Sequence, residues 1–446
     1  MTLNRPQALN AMNREMVRLM MSLLEGWEAS RTCNIILLKG KGRAFCAGGD
    51  VVEMVKLVAD PEKRPEATSF FKNEYECDRF IAHMSKPIVA ILDGITMGGG
   101  AGISVHAPFR IATEKTNFAM PETNIGLFPD VGANFFLSRL DGQLGTYLAL
   151  TGSRLTGYGA YQSGIATHFV PSDRITSLEE RLAGLTFSES APSTSTEEFV
   201  GDADELEAST YALVSRKRLA IDACFEFSRA EEIINALQEV EDGKSKLSKD
   251  ESGNADEYMK EWAKTTRETI EFRSPTSIKV TLEGIRQGAK MTIDEVFDLD
   301  MHLACIFCNP DIAPDFVTGV THTVINKSKA RAAWSPSTLA DIGQSQIRTT
   351  FFSKSPVPHF VSLNPPPAGR KAYVEHPYAA FALPSEKLIG RVVKGDVRDS
   401  GSFAVEAVLE WFEREWSNKI GVREKVEEVL NRRTKREEDG TLSWIV

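Results

Sequence analysis

The chain has 446 residues, 42% of them hydrophobic, 26% charged and 9% aromatic, which is enough apolar side chain for a large core and a length that fits two or three domains. Acidic residues outnumber basic ones 62 to 52, and the net charge of −10 argues against a general binder of nucleic acid or of anionic membrane. No stretch approaches the roughly 20 apolar residues of a membrane span, and Met1-Thr2-Leu3-Asn4-Arg5-Pro6 reads as neither an apolar signal region nor an Arg-rich presequence.

Thr2-Leu3 reads as the end of a strand too short to pair well, so a few residues are expected to precede it. Residues 10–29 carry a helical period. Asn34 to Gly40 is a short apolar run closed by glycine and reads as a buried strand. Residues 68–85 are again helical in pattern. Pro87 to Gly94 is a second strand, and Phe109 to Thr113, apolar at alternate positions, a third. Strands alternating with helices predict an α/β layered domain over residues 1–190.

Ser188 to Asp204 is polar and rich in Ser, Thr and Glu, the composition of a surface linker. Residues 205–335 are mostly helical in pattern, interrupted by a charged loop near 243–256. Residues 336–446 form an extension. Its Ser- and Pro-rich entry includes Asn364-Pro365-Pro366-Pro367, and an amphipathic helix follows around Phe403 to Trp416; together they read as a docking element. The six cysteines are too few and too scattered for a disulfide framework. Cys33, Cys46, Cys77 and Cys224 stand alone beside apolar segments, as small buried hydrophobes do. Cys305 and Cys308 make a C-x-x-C with no second pair at zinc spacing, which favours core packing over a metal site.

Two glycine clusters could carry chemistry: Gly48-Gly49 before Asp50, and Gly98-Gly99-Gly100 after the strand at 87–94. Without side chains, backbone N–H groups can approach a ligand closely, and two such donors from separate loops could hold a developing oxyanion; tight turns or close helix packing would look the same. Neither cluster is a phosphate loop or a dinucleotide fingerprint. Glu122 and Asp130 lie in a largely apolar segment with no cation between them, where burial would raise their proton affinity toward the range of a general acid or base; capping or a surface turn is the alternative. Phe70, Glu74, Cys77, Ile81 and Met84 form an i, i+4, i+7 stripe, which puts Glu74 on the apolar face of its helix, facing either a ligand or an arginine. His83 and His106 read as structural.

These segments together resemble the crotonase (enoyl-CoA hydratase/isomerase) superfamily. Leu3-Asn4-Arg5-Pro6, Ala8-Leu9-Asn10-Ala11, Phe45-Cys46-Ala47-Gly48-Gly49-Asp50 and Gly98-Gly99-Gly100 occur in the family's order. Phe71-Lys72-Asn73-Glu74-Tyr75, Ala119-Met120-Pro121-Glu122-Thr123, Gly126-Leu127-Phe128-Pro129-Asp130, Ala166-Thr167-His168-Phe169-Val170 and Ser274-Pro275-Thr276-Ser277 are similar to its 3-hydroxyisobutyryl-CoA hydrolase branch. The resemblance covers residues 1–335. It implies a spiral of β-β-α units with a helical C-terminal part, an acyl-CoA substrate, no separate cofactor, a mitochondrial location, a place in valine breakdown and a homo-oligomer. It puts the oxyanion donors on the N–H of Gly49 and Gly99, the catalytic carboxylates on Glu122 and Asp130, and a substrate-contacting acid on Glu74. Hydratases of the superfamily carry a glutamate where this chain has Gly102 and a small residue where it has Asp130, so hydrolysis is favoured over a hydratase or isomerase activity. Gly132-Ala133-Asn134 replaces a run of glycines, which would narrow that loop, and Asn326 replaces a usual aspartate. Fungal-type relatives are also found in the small subunit of the mitochondrial ribosome, which makes a structural role, without direct nucleic-acid binding, the second expectation.

Overall fold

The computed structural model describes residues 1–185, 213–250, 252–353, 360–366, 369–397 and 404–445. The strands of the N-terminal half are Thr2–Leu3 (β1), Ile36–Gly40 (β2), Ala44–Cys46 (β3), Ile88–Leu92 (β4), Ile95–Met97 (β5), Phe109–Ala112 (β6), Asn117–Ala119 (β7), Leu155–Thr156 (β8) and His168–Phe169 (β9). They divide between two sheets. One has the order β1-β2-β4-β6-β9 and is parallel throughout; the other is β3-β5-β7-β8, antiparallel only at its last pair. After β1 the chain crosses by helix Arg14–Ala29 (α1); the next two turns each lay one strand in each sheet and cross back by helix, Val51–Ala59 (α2) with Arg64–His83 (α3), then Gly99–Val105 (α4). This is the β-β-α spiral. Every residue of β4 is buried, as its continuous apolar run requires of a parallel strand covered on both faces.

The two-residue β1 pairs after all, Thr2 with Lys39 and Leu3 with Gly40. Its ladder is extended by Lys39 N–H donating to Met1 O at 3.1 Å and Lys41 N–H to Leu3 O at 2.9 Å, and Leu3 is buried. Asn10, left-handed at φ 57°, accepts from the Arg5 amide at 2.8 Å and donates to Ala44 O at 2.7 Å, so the opening Asn/Pro motif is tied to β3. Asn13 and Asp50 cap α1 and α2 through bonds from the amides three residues on.

The helical part contains Ser215–Phe225, Ala230–Glu241, Glu257–Phe272, Pro275–Gly288 and Ile293–Phe307. The extension carries helices Gln344–Phe351, Glu386–Val393, Val405–Glu415 and Val422–Arg433, and a ribbon of Thr434–Arg436 (β10) with Leu442–Trp444 (β11). Val408, Leu409 and Phe412 of its amphipathic helix join the same core as the spiral, so that face is already occupied. Residue 360 onward runs along α3, where Asn364 N–H donates to Glu76 Oε1 at 2.8 Å and Arg79 donates to Asn364 O. Tyr373 inserts between the rings of His83 and Phe135, 5.9 and 5.5 Å away. The expected linker at 188–204 lies outside the described residues, as do Pro367 and Phe403. All six cysteines are unpaired; Cys305 and Cys308 are buried, whereas Cys33 is only half-buried. Among the described residues no helix is long and apolar enough to cross a membrane, and no group of three metal-ligating side chains occurs.

Candidate active site

Strands β3 and β5 each end in one of the glycine loops, which brings the loops face to face. A Cβ on Gly48 would lie 3.7 Å from the Gly99 amide nitrogen and 3.3 Å from Met97 O, and Gly48 has φ +105°, so only glycine fits there. The bridge between Met12 and Gly49 uses the Gly48 carbonyl and the Asp50 amide, which leaves the Gly49 N–H out of the ladder. Gly99 opens α4, so its N–H has no acceptor within the helix. Two amides from separate loops are therefore close together and uncommitted to regular structure.

The predicted acids reach the same place. A Cβ on Gly98 would sit 3.0 Å from Glu122 Oε1, one on Gly49 would sit 3.7 Å from Glu74 Oε1, and a methyl on Gly99 would collide with Glu74 Oε1 and the Met12 methyl. Glu74 comes from the buried stripe of α3 and Glu122 from the start of a tight turn, Glu122–Ile125. Asp130 joins through Tyr75, whose phenolic O–H donates to Asp130 Oδ2 at 2.6 Å. Glu74, Glu122 and Asp130 are 3%, 5% and 5% exposed, so the surface-turn reading of the two later acids does not hold. Among the described residues no arginine pairs with Glu74 either. Arg79 turns outward to Asp298 and Asn364, and Glu74 Oε1 and Glu122 Oε2 have no hydrogen-bond partner.

Two further acids complete the cluster. Asp78, one turn after Glu74, is fully buried with neither carboxyl oxygen bonded, and Asp300 reaches in from Ile293–Phe307. Burial raises the proton affinity of Glu74, Asp78, Glu122 and Asp300 well above the carboxylate range, and the neighbouring carboxyls raise it further. Burial also raises Asp130, but the Tyr75 bond opposes it and leaves Asp130 at about 6. The arrangement is thus one carboxylate able to ionise near neutrality, several neutral carboxylic acids, and two free amides. It suits proton transfer beside a carbonyl whose oxygen gains charge.

The segment after Asp130 is held from two sides. Val131, a β-branched residue at φ 54°, passes its carbonyl to His106 Nε2 at 3.0 Å. The Gly132 amide and the Asn134 side chain donate to Asp300 at 2.7 and 3.1 Å. Asn134 thus anchors the loop to the helical part. Gly102 has a steric reason as well as a chemical one: a Cβ there would lie 2.5 Å from Asp78 Oδ2 and 2.6 Å from the Val131 Cβ. Asn326 is exposed at the end of Val320–Ile325. Asp78 shares the stripe that reveals Glu74, four residues on, so the pattern could have found it. The roles of Tyr75 and Asp300 depend on contacts across 55 and 168 residues that no local pattern encodes. A cavity of about 860 Å³ lies elsewhere, between the spiral and the extension, lined by residues that include Arg139, Asp141, Lys425 and Trp444 and by none of the five acids.

A profile of the Enoyl-CoA hydratase/isomerase family matches residues 1–351. The mitochondrial 3-hydroxyisobutyryl-CoA hydrolase of Danio rerio is 40% identical over 355 residues, 79% of this chain and 86% of that protein. Small ribosomal subunit protein mS47 of Neurospora crassa is 40% identical over 442 residues, 96% of this chain and 82% of that protein. Among solved structures, a carnitinyl-CoA dehydratase from Mycobacterium thermoresistibile superposes with a TM-score of 0.67 at 31% identity, over 80% of this chain and 93% of its own. Spiral, facing glycine loops and profile agree: the chain belongs to the enoyl-CoA hydratase/isomerase family.

Proposed function

We propose that the protein hydrolyses 3-hydroxyisobutyryl-CoA to the free acid and CoA in the mitochondrion. The observation that carries this reading is the meeting of the Gly49 and Gly99 loops with the buried carboxyls of Glu74 and Glu122. The thioester oxygen accepts from the two amides as the carbonyl becomes tetrahedral. Asp130 and Glu122 handle the protons, Glu122 as nucleophile or as general base toward water, and Glu74 contacts the acyl part. The C–S bond breaks, CoA leaves as the thiol, and one water is consumed. Removing one amide donor would cost about 2.7–4 kcal/mol of barrier. Water and side chains suffice for this chemistry, with CoA entering as part of the substrate. A hydratase-type glutamate at residue 102 would meet Asp78 and Val131, which supports hydrolysis over hydration. The test is release of free thiol from 3-hydroxyisobutyryl-CoA, with an enoyl-CoA as control substrate. Wild type should release thiol and Glu122→Gln should not; a folded wild type that releases none refutes the proposal.

A second reading has its own support. The family profile stops at residue 351 and the hydrolase relative covers 79% of the chain, whereas the ribosomal relative covers 96%. The shared extension supports association with the small subunit of the mitochondrial ribosome, alongside or instead of catalysis. Co-sedimentation of the full chain with small-subunit particles tests it, and a protein found wholly free of them counts against it.

A further inference from the structure

Five buried carboxyls share one site: Glu74, Asp78, Glu122, Asp130 and Asp300, with His106 beyond them at Val131. Besides burial and hydrogen bonds, the influences acting on Glu74, Asp78, Glu122 and Asp300 are other carboxyls, Asp130 among them in every case. In such a group ionising one acid disfavours ionising the next, so the first to lose its proton fixes the roles of the rest. The carboxyls are not bonded alike. Asp78 is bonded at neither oxygen, Glu74 and Glu122 each leave one oxygen unpartnered, and Asp300 accepts an amide and a side-chain N–H. Only Asp130 receives a hydroxyl, at the short distance typical of O–H donation to a carboxylate.

We propose that Tyr75 is a positioning residue that makes Asp130, rather than Glu74 or Glu122, the ionised carboxylate of the cluster, by donating its phenolic O–H to Asp130 Oδ2. Tyr75 is fully buried and packed by the Phe71 ring, so its hydroxyl is fixed on this acceptor. The Asp130 charge then keeps its proton on Glu74 and on Glu122, since both carboxyls are disfavoured as anions beside it. Asp130 is therefore the group that accepts the first proton, and Glu122 acts as nucleophile or base only after passing its own proton to Asp130.

This assignment rests on the hydrolase reading, but one arm of its test does not. Tyr75→Phe removes the hydroxyl and keeps the ring. Loss of a bond to a charged acceptor should raise the Asp130 ionisation by about one to two pH units. The acid limb of kcat/KM should move up by that amount, giving about a tenfold loss at pH 6 and little loss at pH 8. A merely structural tyrosine would lower both rates equally, and that result overturns the proposal. The second arm is urea unfolding of Tyr75→Phe and wild type at pH 4 and pH 8, which needs no activity. The variant should be destabilised more at pH 8, where Asp130 is charged, and an equal effect at both values also overturns the proposal. A chain that releases no thiol but shows the pH-dependent stability difference would refute the hydrolase reading and leave the Tyr75–Asp130 assignment standing.

Discussion

Asp130→Asn should make the folded protein more stable at pH 8 and change it little at pH 4. Asp130 ionises at about 6 in the fold against an ordinary value of 3.8, mainly because burial disfavours its charge. Between those values the folded state holds a proton that the unfolded chain has lost, so stability falls as pH rises through this window and stays reduced above it. A rise of about two pH units at about 1.36 kcal/mol each amounts to about 3 kcal/mol at pH 8, and to well under about 1 kcal/mol at pH 4. Asparagine keeps the shape, still offers an oxygen to Tyr75, and removes the charge. Urea unfolding followed by tryptophan fluorescence at both pH values measures the gain. A variant no more stable than wild type at pH 8, or equally stabilised at both values, would refute the account of Asp130 as an uncompensated buried carboxylate.

Gly102→Ala, favourable by about 1 kcal/mol for a helix in isolation, should instead destabilise by about 1–3 kcal/mol, because the new methyl meets Asp78 Oδ2 at 2.5 Å and the Val131 Cβ at 2.6 Å. Thermal unfolding checks this, and an unchanged melting temperature would show that α4 can shift. Glu386→Ala should loosen the extension. It removes the carboxylate that accepts from Arg432 at 2.8 Å, Arg433 at 2.6 Å and Arg218 at 3.3 Å, and leaves the three cations to share Asp222 and Glu428, at a cost below the about 3–5 kcal/mol of a buried charge left wholly unpaired. Faster proteolysis within residues 386–445 is the expected readout, and a cleavage pattern identical to wild type contradicts it.

The spiral was legible where one element carries the whole signal. The runs around Ile36–Gly40 and Ile88–Leu92 are apolar, β-branched and closed by glycine, and each became a strand of the parallel sheet. Glu74 was legible because helical spacing alone puts a carboxylate among Phe70, Cys77 and Ile81. What stayed hidden is what another part of the chain supplies. That the glycine loops face one another follows from β3 and β5 pairing in parallel, and a sequence shows two separate turns. The Tyr75 hydroxyl is meaningful only once Asp130 lies against it, and Gly102 looked like a missing acid until Asp78 and Val131 were seen to fill the space. The packing of the extension was hidden for a related reason: its helix is amphipathic, and a sequence does not show that the apolar face packs into the core of its own chain.

Two buried charged assemblies of the molecule respond to pH in opposite senses. At the seam between spiral and extension, burial disfavours the charges of Glu386 and Asp141, yet the cations win: Arg432, Arg218 and Arg433 on Glu386, and Lys425 and Arg218 on Asp141, hold both below the usual carboxylate range. Their stabilisation is present above the ordinary values of 4.5 and 3.8 and is lost as pH falls below them. The acids around Gly49 and Gly99 do the reverse, because among the described residues no cation pairs with them and stability drains away as pH climbs. The same residue type is therefore compensated where it joins parts of the fold and left uncompensated where proton affinity is the useful property. A protein selected only to hold its extension in place would have no reason to keep five buried carboxyls, none paired with a cation among the described residues, beside two free amides, and that asymmetry is the physical argument for chemistry at the spiral even in a chain whose extension is shared with a ribosomal relative.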